Sequence, residues 1–373
     1  MTQKPACIIR MLFSGSQWCC VRKTLVVCLA MAVSTPSAAT VICSWNIKHL
    51  GWGEQKSYAA LAHVGNLCDV IAVQEAMDAD GMQRLERALE GLDSSWDFMS
   101  SHAIGRGSYK EQYAFYWRSS KVEYLDGAVV FLDHNDVYAR EPYSARFRAA
   151  NGRSFALASI HVLYGDGISD RLPEIRKLAE YWSWLAEVYP GTDVILAGDF
   201  NLPPDHDGFG PLRKVAKAVV TTGATTLSSR DGRYANLYDN LWVSRNHGLS
   251  VSDSGIIRFP ELLRTSSGNG VTHEWARKHV SDHAPVYVAL DGSRLGGASS
   301  DRALAPARGR EKQRAVTSTT NTAAGINVRG NRNSKIYHLP SCPSYARVGE
   351  HNRVPFESEA AARGAGYRKA GNC

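Results

Sequence analysis

The feature of this chain that most constrains its fold is a series of short apolar runs separated by amphipathic stretches. Runs of this length and composition predict β-strands. Because they show little polar alternation, we expect the strands to be buried on both faces, in sheets covered by helices. The strand-like runs are 41–47, 69–74, 114–118, 155–160, 193–197, 240–244 and 285–290.

Three of the stretches between these runs have the periodicity of amphipathic helices, namely 57–67, 81–92 and 173–189. The third is predicted to begin at Pro173 and to end before Pro190 and Gly191. Proline is favoured in the first turn of a helix, and proline and glycine commonly follow its end.

Four of the runs carry, at or just beyond their C-terminal ends, polar side chains that can bind a metal or titrate. These side chains are Asn46, Glu75, His161 and Asp199 with Asn201. Any one of them alone would be taken for a turn former, a helix cap or a structural histidine. Their repetition after successive strands is what indicates a functional site.

Two later runs carry their polar residues at the opposite end. Asp239 precedes the run 240–244, and Asp282 and His283 precede the run 285–290. If these two strands are antiparallel to the other four, all six ends meet at one edge of the fold. That arrangement requires a mixed sheet or two packed sheets.

The residue types at this edge favour hydrolysis of a phosphoester. Carboxylate and amide oxygens are the ligands of hard cations such as Mg²⁺, which binds one or two carboxylates together with a phosphate. A histidine can activate water, and a second histidine can stabilise or protonate the leaving oxygen. The region has no HExxH pattern, which argues against a zinc protease.

The order of the motifs resembles that of the endonuclease/exonuclease/phosphatase superfamily. As a set in this order they are highly specific, and they span nearly all of 41–290. The resemblance implies an α/β fold, a four-layered sandwich of two packed mixed β-sheets flanked by helices. The motifs are Ser44-Trp-Asn46, Val73-Gln-Glu75, His161, Gly198-Asp-Phe-Asn201, Tyr238-Asp-Asn240 and Ser281-Asp-His283.

Two further segments, 109–118 and 140–142, are similar to the deoxyribonuclease I branch of that superfamily. This resemblance implies that Glu111 pairs with His161 and that Asp239 pairs with His283. The two histidines would be the acid and the base of the reaction, and the sequence leaves open which of them takes the proton of water.

The resemblance also implies a metal site. Glu75 is expected to bind the catalytic ion, with Asn46 and Asp282 close by, and Asp199 and Asn201 would hold metal and phosphate. The expected ion is Mg²⁺ or Mn²⁺, with Ca²⁺ as a further alternative.

Tyr109 and Arg140 are the residues that the resemblance places on the DNA backbone. Without the resemblance, Glu111 and Arg140 would be interpreted as a surface ion pair of little energetic weight. The chain has Met77 where deoxyribonuclease I has an arginine that enters the minor groove. The choice between single-stranded and double-stranded DNA is therefore left open.

The chain is predicted to contain four parts: a signal peptide at 1–39, a catalytic domain at 40–291, a flexible basic linker at 292–325 and a small module at 326–373. The last part resembles a reduced metal-binding module of the Ada type. His338, Cys342 and Cys373 could bind Zn²⁺, and a disulfide between the two cysteines is the alternative in an oxidising compartment.

The N-terminal part has the pattern of a secretory signal. Arg22 and Lys23 precede a short apolar run, and the small residues Ser37 and Ala39 predict cleavage after Ala39. We therefore expect a secreted or periplasmic protein without membrane insertion after cleavage, and an uncleaved anchor is the alternative. Cleavage would leave four cysteines, Cys43, Cys68, Cys342 and Cys373, whose pairing the sequence does not fix.

Together these patterns predict a secreted, monomeric, metal-dependent endonuclease that cleaves DNA. The formal charge of +7 favours acidic partners. One rival is another phosphodiesterase of the superfamily, with RNA, a phospholipid or a small phosphoester as its substrate. The other is a catalytically silent DNA-binding protein, although binding alone would not require two histidine–acid pairs.

Overall fold

The structure is a computed structural model, and it describes residues 40–53, 55–245, 248–267, 270–292, 294–295, 328–332, 335–340, 342, 345, 348 and 353–370. The predicted signal peptide and nearly all of the predicted linker lie outside these residues. Within them, no helix has the length and apolar character needed to cross a membrane.

The first sheet has six strands in the order β11-β12-β1-β2-β4-β3. β1 and β2 are parallel, and β12 is antiparallel to β1. The strands are β1 (Thr40–Leu50), β2 (Val70–Ala76), β3 (Trp96–Ser100), β4 (Gln112–Arg118), β11 (Val251–Ile256) and β12 (Val286–Leu290).

The second sheet also has six strands, in the order β5-β6-β7-β8-β10-β9. β7 and β8 are parallel, and β10 is antiparallel to β8. The strands are β5 (Val122–Val130), β6 (Tyr143–Ala149), β7 (Ser154–His161), β8 (Asp193–Asp199), β9 (Ala216–Ala218) and β10 (Asp239–Ser244).

Helices cover the outer faces of the two sheets. α1, α2 and α4 pack with the first sheet in one core, whereas α3 packs against the second sheet in another. The helices are α1 (Tyr58–Gly65), α2 (Ala79–Glu90), α3 (Ile168–Val188), α4 (Phe259–Ser267) and α5 (His273–His279).

Alternate residues of β7 show the layering, because successive side chains of a strand point to opposite faces. Phe155 and Leu157 belong to the core that includes the first sheet, whereas Ala156 and Ala158 belong to the core that contains α3. The predicted four-layered α/β sandwich is confirmed.

The third predicted helix starts earlier than expected, at Ile168, so Pro173 lies inside it. The Asp170 carboxylate accepts hydrogen bonds from the backbone N–H groups of Asp166 and Gly167, 2.8 and 3.3 Å long, and thereby fixes the helix start. Pro173 then removes a single backbone donor near this end. The prediction that the helix begins at Pro173 is wrong.

A disulfide joins Cys43 of β1 to Cys68, which lies just before β2, and both residues are buried. Their Cα atoms are 6.0 Å apart. The bond links the two parallel strands at the centre of the first sheet. The sequence had left this pairing open.

The C-terminal residues form a separate small sheet in the order β15-β13-β14-β16. Its elements are β13 (Val328–Asn331), β14 (Ile336–His338), β15 (Arg353–Phe356), α6 (Glu359–Gly364) and β16 (Arg368–Lys369). Val328, Tyr337, Ala362 and Tyr367 form its core. The predicted small C-terminal module is thus present.

The possible zinc ligands of this module do not form a described site. Cys342 is disulfide-bonded, so its sulfur is not available as the thiolate that Zn²⁺ requires. His338 ends β14, and Cys373 lies outside the described residues. The structure favours the disulfide alternative for Cys342, and the Cys342–Cys373 pairing stays a prediction.

We predict that the Cys43–Cys68 bond makes a large contribution to stability. The two residues are separated by 25 positions, and closing a loop of that length reduces the entropy of the unfolded chain by an amount worth about 3.5 kcal/mol. Replacing both cysteines by alanine should lower the free energy of unfolding in urea by about that much. The reduced wild-type protein is the control for lost packing, and equal urea midpoints for its reduced and oxidised forms would contradict this prediction.

Candidate active site

The six predicted polar strand ends meet at one edge, and the strand register explains why. His161 lies beside Asp199 in the parallel pair of β7 and β8, and Asp199 lies opposite Asp239 in the antiparallel pair of β8 and β10. In the first sheet, Asn46 lies beside Gln74, one residue before Glu75. Within each sheet, the strand that follows its polar residues, β12 or β10, is antiparallel to the parallel pair that precedes them, as the sequence argument required.

The backbone of this edge adopts conformations that side chains rarely favour. Lys48, His49, Glu75 and Asn201 all have positive φ, between 48° and 59°. Gly198 has a φ of 155°, and a Cβ there would lie 2.0 Å from the Ile160 carbonyl oxygen. Such strain persists where the surrounding structure imposes it, and it is concentrated at functional sites.

The buried Asn46 amide connects the two sheets. Its Nδ2 donates to Glu75 Oε1 (3.0 Å) and to Asp199 Oδ2 (3.1 Å), and its Oδ1 accepts from the backbone N–H of Lys48 (2.9 Å). The opposite amide orientation would place an oxygen against two carboxylates. Asn46 therefore positions two acidic groups of the site, and its amide is already engaged with protein partners.

His161 is held by the acid that the resemblance implied. Its Nδ1 lies 3.1 Å from Glu111 Oε2, and Arg140 Nε lies 2.5 Å from Glu111 Oε1. Burial and the Arg140 guanidinium lower the pKa of His161, but Glu111 and Asp199 outweigh them and raise it above its ordinary value. Burial raises the pKa of Glu111, yet His161 and Arg140 hold it below its ordinary value.

His283 is held in the same way by Asp239. The distance from His283 Nδ1 to Asp239 Oδ2 is 2.8 Å, and the distance to Asp199 Oδ2 is 3.6 Å. Burial opposes protonation of His283, but the carboxylates of Asp239 and Asp199 raise its pKa well above the ordinary value. Because both histidines use Nδ1 for this contact, each is left with Nε2 for the cavity.

Arg140 and Tyr109, the two predicted DNA contacts, lie in different surroundings. The Arg140 side chain is only 11% exposed and also donates from Nε to the backbone oxygen of His161. Interpreting Glu111 and Arg140 as a surface ion pair is therefore wrong. Tyr109 is 40% exposed and makes ring contacts with His49 and Trp52, 6.3 and 5.8 Å between centroids.

Asp282 lies at the site but is engaged by two cations. Its Oδ2 is 2.6 Å from Lys48 Nζ and 3.2 Å from Arg277 Nη2. Neither basic residue was predicted from the sequence. Lys48 closely follows the Asn46 motif and could have been considered, whereas Arg277 lies in a short helix with no signal that relates it to the site.

Asn201 supports the loop after β8. Its backbone N–H donates to Asp199 Oδ1 (2.9 Å), and its Nδ2 donates to the Val162 carbonyl (2.8 Å). The asparagine oxygen is not used in these two contacts. The backbone N–H of Asn201 therefore helps to fix the orientation of the Asp199 carboxylate.

Many of these residues line a cavity of about 430 Å³, which we call the catalytic cavity; Asn46, Glu111, Asp239 and Tyr109 do not line it. Its walls include both histidines, Glu75, Asp199, Asn201 and Asp282, and three cationic side chains, Lys48, Arg140 and Arg277. Among the described residues, two groups of side chains could hold a metal ion, each with ligand atoms within 4.8 Å of one another. They are Glu75, Glu111 and His161, and Asp199, Asp239 and His283.

The family model described as the endonuclease/exonuclease/phosphatase family matches residues 43–283. The matched segment contains every residue that lines the catalytic cavity. The chain belongs to this family.

A deoxyribonuclease of Thioalkalivibrio sp. (strain K90mix) is 48% identical over 274 residues, which cover 72% of this chain and 76% of that protein. Deoxyribonuclease-1 of Gallus gallus is 24% identical over 286 residues, covering 70% and 96%. The predicted enzyme class, a hydrolase of phosphodiester bonds, is confirmed by the family and the first relative.

Solved structures confirm the fold. A functionally unknown conserved protein from Enterococcus faecalis V583 matches 68% of this chain and all of its own length, with a TM-score of 0.51 and 15% identity. D. rerio TDP2 complexed with single strand DNA product matches with a TM-score of 0.50 and 16% identity, over 68% of this chain and 99% of that one.

The C-terminal part matches a second family model, described as ArfC, over residues 309–369. This match covers most of the predicted module. The resemblance to an Ada-type module stays a prediction.

We predict that Asn46→Ala separates metal binding from folding. Without the amide, Glu75 and Asp199 lose their common donor and repel each other, so the affinity for a divalent cation should fall by about 10- to 100-fold. Titration calorimetry with Mn²⁺ measures this loss, and circular dichroism should remain unchanged. Ser281→Ala is the control, since the hydrogen bonds of its hydroxyl to described residues go to the Asn46 backbone oxygen and the His283 N–H and to neither carboxylate. Equal losses in both variants would contradict the role given to the amide.

Proposed function

We propose that the chain is a metal-dependent endonuclease that hydrolyses phosphodiester bonds of DNA. The observation that carries this proposal is a pair of histidines, His161 buried and His283 partly buried, each fixed by its own carboxylate and both lining one cavity. A protein that only bound DNA would have no use for two such pairs. Removing either histidine should therefore abolish turnover rather than binding.

The two histidines divide the proton transfers of an in-line attack by water. Burial lowers the pKa of both histidines, but Asp239 and Asp199 raise that of His283 well above its ordinary value, whereas the Arg140 guanidinium opposes the rise at His161. We therefore assign His283 as the group that stays protonated and donates to a phosphate or leaving oxygen. His161 is the better acceptor of the proton of water, with Glu111 stabilising the imidazolium that results.

The donor set fits a hard divalent cation. Glu75 Oε1 accepts a hydrogen bond from Asn46, and Oε2 accepts one from the His49 N–H with His49 Nε2 3.4 Å away, so Oε1 at least keeps a lone pair for a metal. Asp199 and the Asn201 oxygen add further hard ligands at the same cavity. When bound, Mg²⁺ or Mn²⁺ would neutralise charge on the phosphate.

The proposal that DNA is the substrate rests on charge and on the relatives. Lys48, Arg140 and Arg277 line the catalytic cavity, and cations of this kind attract the phosphate backbone. The relatives named deoxyribonuclease are aligned over most of the catalytic domain. We propose a monomer, because one chain supplies every side chain of the cavity.

We also propose that the protein is exported. The buried disulfide between Cys43 and Cys68 supports this, because such bonds form and persist in oxidising compartments. The predicted cleavage after Ala39 would leave Thr40, the first residue of β1, as the new N-terminus.

Nicking of supercoiled plasmid tests the proposed function. The wild-type protein should nick the plasmid with Mg²⁺ and stop when EDTA is added, and His161→Ala and His283→Ala should each lower the rate by at least about 100-fold. His206→Ala is a matched control, because that histidine only caps a short helical turn outside the cavity. No cleavage of DNA by the folded wild-type protein with Mg²⁺, Mn²⁺ or Ca²⁺ would overturn the proposal and make RNA and phospholipid the next substrates to assay.

A further inference from the structure

A second cavity, of about 670 Å³, adjoins the catalytic cavity. We call it the flanking cleft. One wall is the turn at 228–232, and the other is the segment 272–278, which contains most of α5. The two cavities share Lys48 and Arg277, so a ligand that fills one can continue into the other.

The flanking cleft is strongly positive. Its lining contains the four cations Lys48, Arg230, Arg277 and Lys278 and a single acid, Glu274. Arg230 and Lys278 are exposed, and within the part of the chain that the structure describes neither side chain is in an ion pair. An isolated surface lysine or arginine is ordinarily only solvated. Two unpaired cations that continue the cationic lining of a catalytic cavity indicate a path for an anion.

Several hydrogen bonds hold the two walls in place. Arg277 Nε donates to the Leu227 carbonyl (3.0 Å), the Leu227 N–H donates to the Asp282 carbonyl (2.7 Å), and His273 Nε2 lies 3.2 Å from the Ser228 carbonyl. The turn is thereby tied both to α5 and to the strand start that carries His283. These hydrogen bonds fix the walls of the flanking cleft relative to the active site.

We propose that the flanking cleft binds the phosphodiester backbone of the substrate strand next to the phosphate that is cleaved. The inference rests on the proposed function and extends it. Arg277 lies at the junction, where one Nη bonds Asp282 and the guanidinium still lines both cavities. Arg230 and Lys278 lie farther along the path and contact the neighbouring backbone phosphates.

With this arrangement, cleavage takes place in the catalytic cavity, and the flanking cleft contributes only to the binding of a polymeric substrate. Bis(4-nitrophenyl) phosphate has one phosphate and occupies only the catalytic cavity. An oligonucleotide has further phosphates that reach the flanking cleft. Loss of the two outer cations should therefore weaken action on DNA and leave the small diester unaffected.

The test uses the full chain with Arg230→Gln, Lys278→Gln and the double variant, and Lys217→Gln as the matched control. Lys217 is an exposed residue of β9 that lines neither cavity. Binding of a fluorescent oligonucleotide is measured in EDTA at several salt concentrations, and turnover of the same oligonucleotide and of bis(4-nitrophenyl) phosphate is measured with Mg²⁺. Each cleft substitution should reduce the slope of log K against log salt by about 1, raise KM for DNA and leave turnover of the small diester unchanged.

Cleft variants whose salt slopes and KM values equal those of Lys217→Gln would overturn the proposed role of the flanking cleft. An equal loss of turnover on the oligonucleotide and on the small diester would also overturn it. Failure of the proposed function gives a different result, since the wild-type protein itself would then leave DNA uncut.

Discussion

The carboxylate of Asp199 is the group on which the rest of the site depends. Its Oδ2 accepts from Asn46 Nδ2 at 3.1 Å and lies 3.6 Å from His283 Nδ1 and 3.7 Å from His161 Nε2. Asn46 belongs to the first sheet and Asp199 to the second, so this hydrogen bond joins the two sheets at the edge of the apolar core between them. The carboxylate lies between the two histidines, and its position follows from sheet packing rather than from a flexible loop.

This arrangement is costly for the fold, because charged groups buried beside one another lose hydration that an ion pair only partly replaces. Glu111, Asp199 and Asp239 are at most 1% exposed, and Glu75 has a positive φ. Apolar residues of similar volume would serve stability as well or better. A chain that keeps these charges at one edge, with a partner for each histidine, is organised for proton transfer.

The polar strand ends were easier to predict from the sequence than the edge strands of the two sheets, and the reason is physical. Polar residues at the ends of apolar strands are conspicuous, and the resemblance to the deoxyribonuclease I branch implied Glu111 and Asp239 as the partners of the histidines. In the two six-stranded sheets, four of the five strands that were not predicted, β3, β5, β9 and β11, are the outermost strands. Edge strands bury less surface, so the apolar runs that signal a strand are weaker there. Lys48 and Arg277 were missed because only the folded chain brings them to Asp282.

The measurement that most directly tests this account is the nicking rate of His161→Gln, His283→Gln and the double variant, compared on a logarithmic scale. Two groups that act together on one phosphate are removed as a unit once either is lost. The double variant should then be no slower than the slower single variant, within about threefold. A double variant whose loss equals the product of the two single losses would show that the histidines act independently, and would contradict a single site centred on Asp199.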